Sequence, residues 1–266
     1  MFDALVKFFV ARGDSAQNLW IGTKQVMSFI GDTISSLWNA LLQPKKVRWR
    51  EVFYYMDSCG REALGIVSVI CMMIGLILAF QAGVQMHPLG MDIYIADMVG
   101  FAVLKELGPL MVAIICTGRA GSSFAAELGT MKVNEEIDAM TTMGFSAGRF
   151  LVVPKILALV VVMPLLTMVG NIFGLLGGML VAHMNFGVSF SVYYNRTVQV
   201  LGPIHLCEGL VKSVIFAFLV AAVGCLRGLQ SSADAQGVGR SATSAVVSGI
   251  FLVILSDVFL TMIFSV

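Results

Sequence analysis

Residues 63–91 read ALGIVSVICMMIGLILAFQAGVQMHPLGM and contain no Asp, Glu, Lys or Arg. Two further stretches, 156–195 and 241–256, are also free of these charged residues. A helix needs about 20 apolar residues to cross a hydrocarbon core of ~30 Å. Over the 266 residues, 58% are hydrophobic and 12% are charged, and a globule of this size cannot hide that much apolar surface. We therefore predict an integral membrane protein and exclude soluble enzymes and nucleic-acid-binding proteins.

The spacing of the charged residues predicts an all-α fold, a single domain over residues 1–266, with five transmembrane helices. We place the spans at about 63–84, 98–117, 151–182, 206–226 and 245–265. Eight Lys and Arg precede the first span, whereas the loop 85–97 has none and the loop 183–205 has only Arg196. Because basic residues accumulate on the cytoplasmic side, the N-terminus is expected in the cytoplasm and the C-terminus outside.

The first 60 residues contain an amphipathic pattern from about Gln17 to Leu42. Its large apolar residues recur at three- and four-residue steps: Trp20, Met27, Ile30, Ile34, Leu37, Trp38 and Leu41. Such a pattern is typical of a helix that lies in the membrane interface. A helix that packs against a partner protein is the alternative interpretation.

The segment between the second and third spans, GRAGSSFAAELGTMKVNEEIDAMTTMGFSAGRF, runs from Gly118 to Phe150. It interleaves acidic residues with apolar ones, and Leu128, Met131, Ile137 and Met140 can share one side of a helix. We predict a cytoplasmic helix near 118–144 that docks in a groove of another protein. A turn that merely joins two spans is the alternative.

These motifs carry a resemblance to a known family. LKELGPL (Leu104–Leu110), followed by GRAGSSFAAELGTMKVNEEIDAM (Gly118–Met140), is similar to the MlaE-type permeases, the membrane subunits of ABC transporters that work with MCE-domain proteins. The likeness covers nearly the whole chain after about residue 45. Members often have Arg where this chain has Lys105, which lacks the guanidinium fork for bidentate contacts.

The resemblance implies a function and a set of partners. It implies a permease subunit that moves phospholipid between the bacterial inner membrane and an outer-side MCE protein. The expected partners are a second copy of the chain, an ABC ATPase subunit and a small STAS-type accessory protein. The chain itself would be no enzyme and would hold no cofactor, and ATP-Mg would bind to the ATPase.

The expected site residues fall into two groups. Lys105 and Glu106 lie inside the second span, where each charge is costly, and Pro109 loosens the same turn; this suggests a functional surface beside a water-accessible cavity. A structural network with Asp257 of the fifth span, or with Glu208 and Lys212 of the fourth, is the alternative. Glu208 and Lys212 are themselves spaced i, i+4 in the order that favours an ion pair. By resemblance, lipid would contact the apolar wall of the first span as well, through Leu76, Ile77, Leu78, Phe80 and Gln81. Coupling to the ATPase is assigned by resemblance to Gly118, Arg119, Gly121, Glu127, Gly129, Glu135, Glu136 and Asp138.

Two rival functions remain. An ion-coupled secondary transporter would relay cations through Lys105, Glu106 and Asp257, although no duplicated set of spans is visible. A membrane-embedded acyltransferase could use the HxxxxD pattern of His87 and Asp92. No catalytic set, metal-ligand spacing or GxxxxGK[ST] loop occurs in the sequence, so we predict no metal and no nucleotide site in this chain.

Overall fold

The computed structural model describes residues 24, 26–40, 42–43, 45 and 47–264, which form helices and no strand. A first helix, α1, covers 26–40. The helices after it are α2 (Trp49–Met86), α3 (Asp92–Val133), α4 (Glu136–Thr142), α5 (Gly148–Phe186), α6 (Phe190–Val200), α7 (Pro203–Leu229) and α8 (Ala235–Phe264). Five of them, α2, α3, α5, α7 and α8, are long and apolar enough to cross a membrane. The prediction of an all-α protein with five spans is confirmed.

The spanning helices are longer than the predicted spans. Helix α2 begins 14 residues before Ala63 and carries Glu51, Asp57 and Glu62 in its first turns. A charge-free window marks only the part of a helix that meets hydrocarbon, and the helix continues into water until a backbone signal stops it. Gly187, with φ of +68°, supplies that signal at the end of α5.

The predicted single helix near 118–144 needs a correction. Residues 118–133 continue the second span as part of α3, and the chain breaks at Glu135, which has a left-handed φ of 58°. Only Glu136–Thr142 forms a separate helix, α4. The apolar repeat continues from α3 into α4 because apolar residues of both helices pack against the core. The periodicity of the sequence therefore could not reveal the break between them.

Helices α2 and α5 cross in very close contact at glycines. A Cβ atom on Gly75 would lie 1.9 Å from the carbonyl oxygen of Gly174, and one on Gly177 would lie 2.3 Å from that of Met72. The sequence predicts a glycine stripe at Gly170, Gly174 and Gly178 that allows close helix approach. The structure shows that this stripe packs within the chain.

Wide π turns interrupt two of the spans just before a proline. In α3 the π segment Ala102–Leu107 precedes Pro109, and the N–H of Gly108 donates to the carbonyl of Val103, five residues back. In α5 the π segment Gly148–Val152 precedes Pro154. Because proline has no N–H and its ring collides with the preceding turn, a wider turn relieves the clash. The loosened turn expected at Lys105 is therefore present.

Helix α1 is amphipathic in the way the sequence predicts. Met27, Ile30, Ile34 and Trp38 form an exposed apolar stripe. Phe29 and Leu37 pack against the core of the bundle instead, so Leu37 belongs to the inner face. Trp20 and Leu41, which complete the predicted pattern, lie outside the described residues.

The sequence analysis missed α6, which occupies the predicted external loop 183–205. Ser189 caps its N-terminus by accepting a hydrogen bond from the N–H of Val192. Arg196 anchors the helix to α3 through a bidentate contact with Asp97, at 2.7 to 3.1 Å. These hydrogen bonds raise the pKa of Arg196.

The five spans are buried to very different extents. In α5, 67% of the most apolar stretch is buried within the chain, whereas in α8 the share is 11%. Phe251, Phe259 and Ile263 are among the exposed side chains of α8. The fold thus has a central helix, α5, and a peripheral one, α8, whose surface is open to lipid or to another protein.

Candidate functional site

The buried ammonium group of Lys212 gathers side chains from three spans. It contacts the Glu106 carboxylate of α3, and it donates to Asp257 Oδ1 of α8 at 3.0 Å and to Thr261 Oγ1 at 2.8 Å. A lysine without water is tolerated only when acceptors surround it in this way. Lys212 is therefore the centre of a charge cluster that ties α3, α7 and α8 together.

A second ion pair lies beside this cluster. Lys105 Nζ is 2.9 Å from Glu208 Oε2 of α7, and His205 Nδ1 is 3.9 Å from Oε1 of the same carboxylate. Because α3 is one π turn wider here, the adjacent residues Lys105 and Glu106 both reach α7. The i, i+4 pair of Glu208 and Lys212 expected from sequence is absent, since each residue pairs with α3 instead.

Lys105 and Glu106 are the more accessible members of these pairs. Their side chains are 29% and 36% exposed, against 17% for Glu208 and 2% for Lys212. With two lysines and three carboxylates, Glu106, Glu208 and Asp257, the formal charge of the group is −1 if His205 is neutral. A charged side chain that is paired with another helix and is still partly exposed can bind a polar group of a ligand without breaking its ion pair.

An apolar cleft lies between α2 and α3. Its volume is about 180 Å³. Its lining residues are Leu78, Gln81, Ala82, Gln85, Met98, Val99 and Ala102. Lys105 follows Ala102 by about one turn of α3, just beyond the residues that line the cleft.

The predicted lipid-contacting wall of α2 is only partly within this cleft. Leu78 and Gln81 line it, whereas Ile77 and Phe80 are exposed on the outer surface of the chain and Leu76 is half-buried. The structure thus places Leu78 and Gln81 in the cleft, and it leaves Ile77 and Phe80 on the outer surface of the chain.

A different polar network holds the other ends of the spans. Lys155 of α5 is fully buried and donates to Tyr55 Oη of α2 at 2.7 Å and to Glu127 Oε1 of α3 at 3.0 Å. Tyr55 donates to the same oxygen at 2.6 Å. The sequence analysis missed Lys155, because it adjoins a charge-free stretch and resembles an ordinary flanking residue. Glu127, predicted to couple to an ATPase, makes these internal contacts.

The other predicted coupling residues of α3 also have neighbours within the chain. Arg119 donates to Glu62 of α2 at 3.0 Å. Gly121 allows close passage of α7, because a Cβ on Gly224 would lie 2.6 Å from the carbonyl oxygen of Gly121. Gly129 faces the hydroxyls of Ser231 and Ser241, whereas Gly118 faces open space.

In the segment Gly118–Phe150, the acidic residues near the α3–α4 turn are exposed. The apolar residues that are exposed beside them are not the ones that the sequence predicts. Glu135, Glu136 and Asp138 are exposed at the α3–α4 turn. Leu128 and Ile137 are buried, and Met131 and Met140 pack against the core, so they do not form a free docking face. Met143 and Phe145, which are 65% and 43% exposed, supply apolar surface beside the carboxylates instead.

The residues of the HxxxxD pattern contact each other on the opposite side of the protein. His87 Nδ1 lies 3.0 Å from Asp92 Oδ1 in the turn between α2 and α3, and the His87 side chain is 62% exposed. Among the described residues, no group of three His, Cys, Asp or Glu could hold a metal ion.

These features define a helical, multi-pass membrane protein with an apolar cleft between α2 and α3 and a cluster of paired charges that joins α3, α7 and α8. The family described as Permease MlaE matches residues 52–263. The chain belongs to the MlaE permease family, and it is a membrane permease subunit of the ABC transporter type.

Relatives from bacteria and plants agree with this assignment. The chain is 36% identical over 205 residues to a probable ABC transporter permease protein of Rickettsia bellii, covering 77% of this chain and 79% of the relative. It is 29% identical to a probable ABC transporter permease protein of Synechocystis, with 81% and 82% covered. It is 28% identical to the chloroplastic protein TRIGALACTOSYLDIACYLGLYCEROL 1 of Arabidopsis thaliana, with 82% and 63% covered.

Proposed function

We propose that this chain moves phospholipid across or out of the bacterial inner membrane, driven by ATP that a separate ATPase subunit binds and hydrolyses. Two copies would pair, and each would dock one ATPase at its exposed acidic turn. The N-terminus and α4 would lie in the cytoplasm, and the C-terminus in the periplasm, as the distribution of basic residues favours.

The observation that carries this proposal is the continuity of α3. One helix runs from the charged residues Lys105 and Glu106 to Val133, next to the exposed acidic turn. At 1.5 Å per residue, these 28 positions span about 42 Å. Movement imposed on the turn by an ATPase would therefore reach the cleft through a single element.

A lipid cargo is supported by the chemistry of the cleft. Its apolar lining suits acyl chains, and Lys105 and Glu106, about one turn further along α3, suit a polar headgroup. The name of the Arabidopsis relative refers to a glycerolipid. Lysine binds phosphate as a point charge, so we assign the headgroup contact to Lys105.

Pairing with a second copy is supported by the exposed surfaces. Helix α8 buries little of its apolar stretch within the chain, and α2 exposes Met73, Ile77 and Phe80. These faces can meet a second chain and enclose the open side of the cleft. An MCE-domain protein would continue the path outside, and a STAS-type protein would join on the cytoplasmic side.

A charge swap tests the headgroup contact without breaking the scaffold. The double variant K105E/E208K keeps an ion pair between α3 and α7 but puts the carboxylate at the more exposed position. We expect a thermal unfolding temperature within a few degrees of wild type and a loss of ATP-dependent phospholipid transfer of at least tenfold. The measurements are thermal unfolding of the purified complex and transfer of labelled phospholipid in proteoliposomes.

The single variant K105M serves as a control for the loss of the pair. It leaves Glu208 without its lysine, so we expect it to lower both stability and transfer. Wild-type transfer by the swapped protein would show that Lys105 and Glu208 only hold the helices together.

A further inference from the structure

A polar groove separates α1 from the start of α5 and is distinct from the cleft between α2 and α3. Its volume is about 480 Å³, which is within the range of small-molecule sites. Helix α1 contributes Asp32, Thr33 and Ser36 to its walls, the turn before α5 contributes Ser146, and the first turn of α5 contributes Arg149. The two walls approach each other at Gly148, where a Cβ atom would lie 3.5 Å from Ser36 Oγ.

The N-terminus of a long helix forms one wall of this groove. The N–H of Phe150 donates to the carbonyl of Ser146 at 3.1 Å, and no side chain caps the turn. The first N–H groups of a helix have no acceptors within it. Because these groups carry the positive end of the helix dipole, they favour an anion.

Thr33 gives an independent sign of a ligand on the opposite wall. This residue is 2% exposed and lines the groove. Its hydroxyl oxygen has no hydrogen-bond partner. A buried hydroxyl without a partner is unfavourable, and a phosphate oxygen in the groove would accept its hydrogen.

The groove also contains one cation and one anion that are not paired with each other. Arg149 and Asp32 both line it, and neither side chain forms an ion pair or hydrogen bond within the described part of the chain. A free guanidinium suits a phosphate. A free carboxylate suits an ammonium group, so the pair matches a zwitterion better than a simple anion.

The position of α1 puts the groove at the membrane surface. The exposed stripe of Met27, Ile30, Ile34 and Trp38 can enter the apolar part of a leaflet. A helix of this kind lies at headgroup depth, with its tryptophan in the interface. Asp32 is two positions from both Ile30 and Ile34, about 160° away around the helix, so the groove lies on the polar side of α1, next to the headgroup layer.

We propose that this groove binds the headgroup of a membrane phospholipid, with the phosphate between Arg149, the start of α5 and Thr33, and with a headgroup ammonium at Asp32. The lipid is resident, and it joins α1 to the start of the third span beside the acidic turn. This inference rests on the proposed function in one respect only, which is the assignment of the lipid to the cytoplasmic leaflet.

Site-specific crosslinking tests the proposal. The full chain is placed in nanodiscs with a phosphatidylethanolamine probe that carries a diazirine close to the glycerol, and crosslinked peptides are identified by mass spectrometry. We expect crosslinks to peptides that contain 29–39 and 146–150. Arg149→Gln should reduce them about tenfold, the loss of one charge-assisted hydrogen bond. Thr33→Val, which keeps the shape, should reduce them about threefold.

Controls and competitors separate the possible ligands. Arg240→Gln changes another arginine that has no ion pair and lies on α8 in a different surface groove, and it should leave these crosslinks unchanged. Unlabelled phosphatidylethanolamine should compete better than phosphatidylglycerol, and Asp32→Asn should abolish that preference. Dioleoylglycerol, which has no phosphate, should not compete.

Two results would overturn the proposal. Unchanged crosslinking in both Arg149→Gln and Thr33→Val would show that the groove does not bind the headgroup. Equal competition by millimolar inorganic phosphate would indicate a site for a free anion. The crosslinking experiment does not measure transport. If the chain did not transport phospholipid, the crosslinking result would still test whether the groove binds a headgroup.

Discussion

Lys212 shows how a single charge can hold a membrane bundle together. It is buried in the half of the spans that lies away from the acidic turn, and it contacts Glu106 and Asp257 on two other helices. The cost of burying the ammonium group is offset only while both carboxylates are present. Removal of the lysine alone should therefore be worse than removal of the whole group.

This difference gives a prediction for stability. Lys212→Met should lower the free energy of unfolding by roughly 3–5 kcal/mol, the usual cost of breaking a buried ion pair. The triple variant E106Q/K212M/D257N should recover most of that loss, because no charge is left unpaired. Thermal or chemical unfolding of the purified protein measures both effects.

Lys24→Met is the matched control for this series, since Lys24 is an exposed lysine near α1. It should leave the unfolding temperature unchanged. If Lys212→Met were as stable as wild type, the cluster would not hold α3, α7 and α8 together.

Sequence reasoning named the charged residues of this cluster but could not predict their pairing, for a physical reason. Lys105, Glu106 and Asp257 stand out because they interrupt apolar stretches, whereas the pairing partners depend on how the helices cross. The wide turn before Pro109 sends Lys105 to Glu208 and Glu106 to Lys212. No rule of spacing within α7 could predict that exchange.

At the level of the helices, the crossing of α2 and α5 depends on the absence of side chains. The Gly75 and Gly177 backbones pass so close to the facing helix that a methyl group at either position would overlap a carbonyl. In a membrane, where the hydrophobic effect does not drive helices together, such packing supplies much of the attraction.

A pair of alanine substitutions on the same helix tests this crossing. Gly75→Ala should separate α2 from α5 and lower the unfolding temperature, because overpacking of this kind costs about 1–3 kcal/mol or more. Gly65→Ala places a methyl group in open space, so it should be neutral or slightly stabilising through helix propensity. Equal behaviour of the two variants would contradict the observed contact.

Some features of the helices, including the glycine stripe, could be predicted from the sequence, and others could not. The four-residue spacing of the stripe predicted close packing, and the spacing of the charged residues predicted the number of spans. The break at Glu135 and the short helix α6 were not predictable in the same way. A left-handed turn at a glutamate and a capped helix in an external loop both depend on local contacts that hydropathy does not report.

For the whole molecule, the described contacts connect two distant regions through α3. The charge cluster centred on Lys212 holds α3 at Glu106. The Tyr55–Glu127–Lys155 network holds α3 at Glu127, in the part that leads to the acidic turn. A displacement of the turn would act on both. The sequence alone suggested an isolated coupling helix, whereas the structure makes residues 118–133 part of the second span.

The same arrangement explains why the chain is a subunit. It belongs to a permease family, and it leaves the acidic turn, one side of α2 and the outer apolar side of α8 exposed. Surfaces of these three kinds are what a motor protein, a second copy and the lipid itself would cover. The family membership follows from sequence, but the location of these surfaces required the fold.

The most direct test of the proposed function is phospholipid transfer by the complex purified from its native membrane and placed in proteoliposomes. We predict transfer of labelled phospholipid that requires ATP and is lost in E136K/D138K, which should also release the ATPase because it reverses charge at the exposed turn. The double variant E51K/D57K, with the same charge change on α2, should retain both. Transfer driven by a proton gradient without ATP, or by the chain without an ATPase, would contradict the account.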